Sequence, residues 1–147
     1  MNTPRNLLIA AAVVALGGVF TSASARDLSS SADVVRASVA SHAYQNGGVG
    51  KEQVADMDRH MKPYDLHLTF SEGKHNAYVA DLKLRITDAA GKKVFALNHA
   101  GPLTDVSLPA GHYRVVADFG GVERSGSVDV KPGQPANLYL HWSKDES

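Results

Sequence analysis

The most constraining feature of the sequence is an alternation of apolar and polar residues that begins near residue 64. A side-chain period of two is the period of a β-strand that buries one face. The first such segment has apolar residues at Tyr64, Leu66, Leu68 and Phe70. The alternation recurs as far as residue 142, and clusters of Gly, Pro, Asn and Asp interrupt it at a spacing of roughly ten residues. This region therefore predicts short strands joined by tight turns.

The alternating segments and the turns between them predict seven strands. They lie at 64–71, 78–87, 94–98, 103–108, 113–119, 123–130 and 138–142. Short strands at this spacing are typical of two sheets packed face to face. We therefore predict an all-β fold, a seven-stranded antiparallel β-sandwich of the Ig-like class over residues 63–143, followed by a polar tail over residues 144–147.

The segment before this region has a different composition. Residues 26–50 contain Ser29-Ser30-Ser31 and Gly47-Gly48-Val49-Gly50. Serine and glycine favour a flexible chain. We predict a flexible tether here, with at most a weak helix from Ala32 to Ala43.

Residues 51–62 have the spacing of an amphipathic helix. Val54, Met57 and Met61 lie at i, i+3 and i+7, so they share one face of a helix. Pro63 follows and favours an end to the helix. We expect this helix to pack its apolar stripe against the sandwich.

The first 25 residues have the organisation of a secretory signal peptide. Arg5 provides a positive charge, residues 7–20 contain no charged residue, and Ala23-Ser24-Ala25 places small side chains at the positions that signal peptidase reads. The apolar run is about 14 residues, shorter than the roughly 20 that span a bilayer. We therefore predict cleavage after Ala25, not a membrane anchor, and a periplasmic or secreted bacterial protein.

Charge and cysteine content exclude several classes of function. The chain has 15 basic and 15 acidic residues and a net charge of zero, so it has no field that would hold nucleic acid or an anionic membrane. It has no cysteine, which excludes lipidation at cysteine, disulfides, thiolate metal sites and cysteine nucleophiles. We expect no cofactor, and we expect stability to come from one packed core.

Part of the predicted sandwich resembles the carboxypeptidase regulatory-like domain. The residues that carry the resemblance are Asp88-Ala89-Ala90-Gly91-Lys92, Gly101-Pro102-Leu103, Leu108-Pro109-Ala110-Gly111-His112-Tyr113-Arg114-Val115 and Val128-Asp129-Val130-Lys131-Pro132-Gly133. The resemblance covers about residues 64–142 and implies the prealbumin (transthyretin) type of seven-stranded sandwich. The segment from Gly47 to Leu66 further resembles small exported proteobacterial proteins of unassigned function.

The resemblance does not imply an enzyme. In that family the carboxypeptidase activity belongs to a separate zinc domain, and this chain has no His-x-x-Glu pair. A transthyretin relative that hydrolyses 5-hydroxyisourate ends in Tyr-Arg-Gly-Ser, whereas this chain ends in Lys144-Asp145-Glu146-Ser147. A Gly-x-Ser-x-Gly nucleophile elbow is also absent from the sequence.

Seven histidines are the candidate ligands, because imidazole is the commonest metal ligand. They are His42, His60, His67, His75, His99, His112 and His141. None has a second histidine at i+2 or i+4, so the sequence predicts no metal site.

One group of these residues is a candidate binding patch. His67 and His141 lie opposite the apolar stripes of the first and last predicted strands, and they converge if those strands are neighbours. Tyr139 shares the face of His141. We predict a ligand- or partner-binding patch of His67, Tyr139 and His141. The alternative is a solvated sheet face stabilised by cross-strand pairs.

The sequence thus predicts an exported, non-enzymatic β-sandwich that serves as a binding or interaction module of the bacterial cell envelope. The expected partner is another envelope protein or a glycan. One alternative is a periplasmic carrier of a small ligand or metal that uses the His-bearing sheet face. A hydrolase is the least favoured alternative.

Overall fold

A computed structural model describes residues 34–144 of the chain. This part is mostly β, with two sheets and one helix. The helix, α1, spans Lys51–Arg59. The strands are β1 (Val35–Val39), β2 (His42–Gly47), β3 (Leu66–Glu72), β4 (Ala77–Tyr78), β5 (Leu82–Thr87), β6 (Lys93–Ala100), β7 (Leu103–Val106), β8 (Gly111–Phe119), β9 (Val122–Val130) and β10 (Ala136–Trp142).

The two sheets divide the strands unequally. Sheet A has the order β1-β2-β7-β3-β10, with the short β4 paired to β3, and sheet B has the order β6-β5-β8-β9. All pairs are antiparallel except β3 with β10, which are parallel. The prediction of a purely antiparallel sandwich is therefore wrong at this pair. A parallel pair needs a long connection, and the strands from β4 to β9 provide it.

The core lies between the two sheets and follows the alternation in the sequence. On β3 and β5 every second side chain lies in the core: Leu66, Leu68, Phe70, Leu82, Leu84 and Ile86. Trp142 at the end of β10 is fully buried, with edge-to-face contacts to Phe70 and Phe119. Its indole N–H donates to the carbonyl oxygen of Val122 at 2.7 Å, which satisfies its polar atom.

The second predicted strand is divided in the structure. Its span, residues 78–87, contains the end of β4 at Tyr78 and the whole of β5 from Leu82. Asp81 between them has a φ of 66°, in the left-handed region, which a continuous strand does not contain. Together with β1 and β2, this division gives more strands than the seven predicted.

The described part of the predicted tether forms a β-hairpin. β1 and β2 pair antiparallel around a two-residue turn at Ala40 and Ser41, so the weak helix expected between Ala32 and Ala43 is wrong where the structure describes it. The hairpin joins sheet A because β2 pairs with β7. Tyr44 anchors it, since its buried ring packs edge-to-face on Phe95 of sheet B at 5.4 Å between centroids.

The predicted helix is present, although it ends three residues earlier than expected. α1 lies on the outer face of sheet A, where Met57 is fully buried. Gln53, which the apolar spacing assigned to the solvent side, is buried beside it, whereas Val54 and Met61 are only half-buried. Gly47 of β2 lets the helix approach, because a Cβ there would lie 3.3 Å from the Met57 sulfur.

The expected signal peptide, residues 26–33 of the tether and the last three residues of the polar tail lie outside the described residues. Between residues 34 and 144, no helix has the length and apolar character needed to cross a bilayer.

Candidate functional site

A row of polar side chains crosses the outer face of sheet A beneath α1. Strand register places Arg36, Gln45, Asp105 and His67 side by side on β1, β2, β7 and β3. Gln45, Asp105 and His67 are 0%, 6% and 8% exposed. His67, a member of the predicted binding patch, is therefore an interior residue and not part of a solvated face.

The Asp105 carboxylate is the centre of this row. Its Oδ1 lies 2.8 Å from His67 Nδ1, and its Oδ2 accepts a hydrogen bond from Gln45 Nε2 at 2.6 Å. Gln45 Nε2 also donates to the carbonyl oxygen of Met57 at 3.0 Å, which ties the row to α1. A carboxylate that holds an imidazole at Nδ1 is an arrangement found in catalytic dyads. Here the burial of His67, Asp105 and Gln45 favours a structural role.

Arg36 extends the row to the helix by ionic contacts. Its guanidinium donates to Asp56 Oδ2 at 2.6 Å, and it lies 3.1 Å from His60 Nδ1. The hydrogen bond from Arg36 lowers the pKa of the Asp56 carboxyl below its usual value of 3.8. These contacts attach the exposed strand β1 to α1 as well as to β2.

Tyr64 lies beside the same row, just before β3. Its side chain is buried, and this burial raises the pKa of its phenol above the usual value of 10.0. The positive charge of Arg36 acts in the opposite direction, and the negative charge of Asp105 reinforces the rise. The phenol therefore remains protonated at neutral pH and can act as a hydrogen-bond donor.

The other two predicted site residues are exposed on the outer face of β10. Tyr139 is 70% exposed and lies opposite Thr69 of β3, and His141 lies opposite Ser71. β3 and β10 are neighbours, which the predicted convergence of His67 and His141 requires. The register of the pair nevertheless places these two histidines four residues apart along the strands. That spacing is about 13 Å. The structure thus keeps Tyr139 and His141 on one exposed surface and separates His67 from it.

His141 instead shares a cavity with a histidine that the sequence did not connect to it. The cavity has a volume of about 620 Å³ and lies at the end of the sandwich. Its lining residues are Gly73, Lys74, His75, His141, Ser143 and Lys144. The pairing of β3 with β10 brings these two segments together. The sequence therefore contained no local pattern that could have predicted this site.

The remaining histidine contacts are pairs on the surface. His99 pairs with Asp81 at 2.5 Å, and His112 pairs with Asp129 at 2.7 Å, with all four side chains exposed. Over residues 34–144 no three His, Asp or Glu side chains are grouped so that they could hold a metal ion.

Strand β1 is the second feature that a partner can reach. It forms one edge of sheet A, and β2 is its neighbour within the described chain. Ala37 lies opposite Tyr44, so Val35, Ala37 and Val39 point towards the inner side of the sheet. β6 is the edge strand of sheet B on this side. It lies across from β2, because Phe95 of β6 contacts the Tyr44 ring. Val39 at one end of β1 packs against the core, whereas Val35 at the other end is 49% exposed.

Comparison of the sequence with known protein families and with curated proteins found no match.

Proposed function

We propose that the chain is an exported, non-enzymatic module of the bacterial cell envelope that binds another envelope protein by strand addition at β1. The observation that carries the proposal is the exposure of this edge strand: four of its five residues are exposed and Val39 is half-buried. An edge strand presents unpaired backbone N–H and C=O groups, and an extended segment of another protein can pair with them.

The shape of the sandwich at this edge supports the same proposal. Among the described residues, sheet B ends at β6 beside β2, so we infer that no strand of sheet B lies across from Val35 and Ala37, the inward-facing residues of β1. A partner segment with alternating apolar residues would place every second side chain over this uncovered surface. Arg36 on the other face is already engaged by Asp56. The recognised surface is thus apolar, and the partner segment is expected to be uncharged at its inward positions.

The proposal also includes a fold, inferred from the family resemblance, and a location, inferred from the predicted signal peptide. We propose a prealbumin-type sandwich of the carboxypeptidase regulatory-like group. The strands within the seven predicted segments support it, because they divide into β7-β3-β10 and β6-β5-β8-β9. The motif from Leu108 to Tyr113 supports it too: the Tyr113 hydroxyl donates to the carbonyl oxygen of Pro109 at 2.6 Å and closes the turn between the sheets.

Site-directed crosslinking tests the strand-addition proposal. The chain has no cysteine, so Ala37→Cys can carry a single photo-crosslinking label on β1. We expect the labelled mature protein to crosslink one envelope protein through an extended segment, identified by mass spectrometry. Val35→Lys in the same background should abolish the crosslink, because a charge on an edge strand opposes strand addition.

The matched control is Ser127→Cys, an exposed position on β9 in sheet B. It should give no product with the same protein. Equal crosslinking from both positions, or a product that survives Val35→Lys, would overturn the proposal.

A further inference from the structure

We propose that the cavity between residues 73–75 and the end of β10 is a binding site for an oxyanion, a phosphate or carboxylate group. The site lies beside β10, at the edge of sheet A opposite β1. It does not depend on strand addition, and either proposal can fail alone.

Hydrogen bonds hold the two walls of the cavity together. Gly73 N–H donates to the carbonyl oxygen of Trp142 at 2.9 Å, and Asn76 N–H donates to the carbonyl oxygen of Gly73 at 3.2 Å. Gly73 has a φ of 66°, a conformation that glycine adopts without strain. The turn that carries Lys74 and His75 is therefore fixed against the end of β10, next to His141.

The His141 ring is oriented by a neighbouring side chain. Its Nδ1 lies 3.1 Å from Ser71 Oγ, the residue opposite it on β3. When the hydroxyl donates to Nδ1, the proton of the neutral ring is on Nε2, which then acts as a hydrogen-bond donor. Ser71 thus positions the imidazole for an acceptor ligand.

The lining of the cavity is rich in hydrogen-bond donors. Two lysines, two histidines and a serine hydroxyl surround the cavity, and no carboxylate is among the described residues that line it. Glu72 is adjacent in sequence but is not one of them. Ammonium groups are donors without acceptor atoms, and protonated imidazoles are too, so they match an anion rather than a cation. Two imidazoles also fall short of the three protein ligands that a typical zinc site uses.

The size of the cavity bears on the ligand as well. About 620 Å³ lies within the range of small-molecule sites, and it exceeds what one inorganic ion fills. The natural ligand is therefore expected to present its oxyanion as part of a larger molecule, with Tyr139 exposed on the neighbouring surface of β10.

A titration of the mature protein followed by NMR tests this inference. Inorganic phosphate and acetate are the two probes, each added at constant pH and at an ionic strength balanced with sodium chloride. We expect saturable shifts of the His75 and His141 ring signals with at least one probe. Phosphate alone would assign a phosphate group, and acetate alone a carboxylate group.

Variants decide whether the shifts come from this cavity. The double variant His75→Gln/His141→Gln should bind the active probe about tenfold more weakly, because it removes two charge-assisted donors. Lys74→Gln should also weaken binding. If the double variant does not fold, this single variant shows whether the shifts come from this cavity. The matched control is His112→Gln, an exposed histidine on β8 in sheet B, which should leave the affinity unchanged.

Shifts that do not saturate with either probe would overturn the proposal. So would an affinity that Lys74→Gln and the double variant leave at the wild-type value, because the anion would then bind elsewhere.

Discussion

At the scale of single residues, the same pair of side chains has different consequences in different surroundings. His67–Asp105 and His112–Asp129 are both histidine–aspartate pairs with Nδ1···Oδ1 distances of 2.8 and 2.7 Å. The side chains of the first pair are 9% and 8% exposed, and those of the second are 55% and 67% exposed. Water solvates the exposed pair whether or not it is formed, whereas the buried carboxylate depends on its hydrogen bonds with His67 and Gln45.

The first prediction compares these two aspartates. Asp105→Ala should lower the free energy of unfolding by about 2–3 kcal/mol, because it leaves buried donors of His67 and Gln45 without an acceptor. Asp129→Ala should cost less than about 1 kcal/mol, as is usual for an exposed pair. Urea unfolding of the two variants at neutral pH measures both values. Similar losses for the two would contradict the structural role assigned to the buried row.

At the scale of elements, the β1–β2 hairpin is held by tertiary contacts more than by its own turn. Ala40 and Ser41 have φ values of 47° and 70°, in the left-handed region that disfavours residues with a Cβ. A two-residue hairpin turn with both φ values positive ordinarily has Asn-Gly or Gly-Gly. The hairpin forms nevertheless, because Tyr44 is buried in the core and Arg36 pairs with Asp56 on α1.

The second prediction follows from this turn. Ser41→Gly should stabilise the hairpin by roughly 0.5–1 kcal/mol, since the relief of left-handed strain exceeds the extra freedom of glycine in the unfolded chain. Amide hydrogen exchange of β1 and β2, with urea unfolding, measures the change.

Ala89→Gly is the control, at an exposed turn position whose φ is not positive. At this position glycine would only increase the conformational freedom of the unfolded chain. The free energy of unfolding of this variant should therefore fall or stay unchanged. A loss of protection in Ser41→Gly would show that the turn is not strained.

At the scale of the whole molecule, the sandwich core and the two proposed binding surfaces lie apart. Apolar residues of both sheets fill the space between them, while β1 and the cavity at the end of β10 lie at the two opposite edges of sheet A. A change at either edge can therefore alter binding without removing core packing. The proposed place of action is the cell envelope. Reaching it depends on whether the predicted signal peptide directs export and is cleaved.

The third prediction concerns that leader. Expressed in a Gram-negative host, the full chain should be recovered from the periplasm with the mass of residues 26–147 and with Arg26 at its N-terminus. Signal peptidase accepts small residues at the two positions that Ala23 and Ala25 occupy. Ala25→Glu should therefore retain the leader and remain with the membrane fraction. A periplasmic product that begins elsewhere would contradict the predicted cleavage site.

The sequence by itself determined the β character of residues 64–142 and the helix that precedes them. Both depend on side-chain periods of 2 and 3.6, which are local properties of the chain and so can be read from neighbouring residues. The buried stripe of β3, Leu66, Leu68 and Phe70, follows from this pattern alone.

Only the tertiary structure decided the features that depend on which strands are neighbours and in what register. β2 became a strand because it pairs with β7 and buries Tyr44, against the glycine and serine content of its surroundings. The apolar alternation placed His67 correctly on the outer face, but it could not indicate that this side chain is buried there. The register of β10 against β3 then separated His67 from His141 and put His141 beside His75. Contacts between residues far apart in sequence fix these relations, and no local period encodes them.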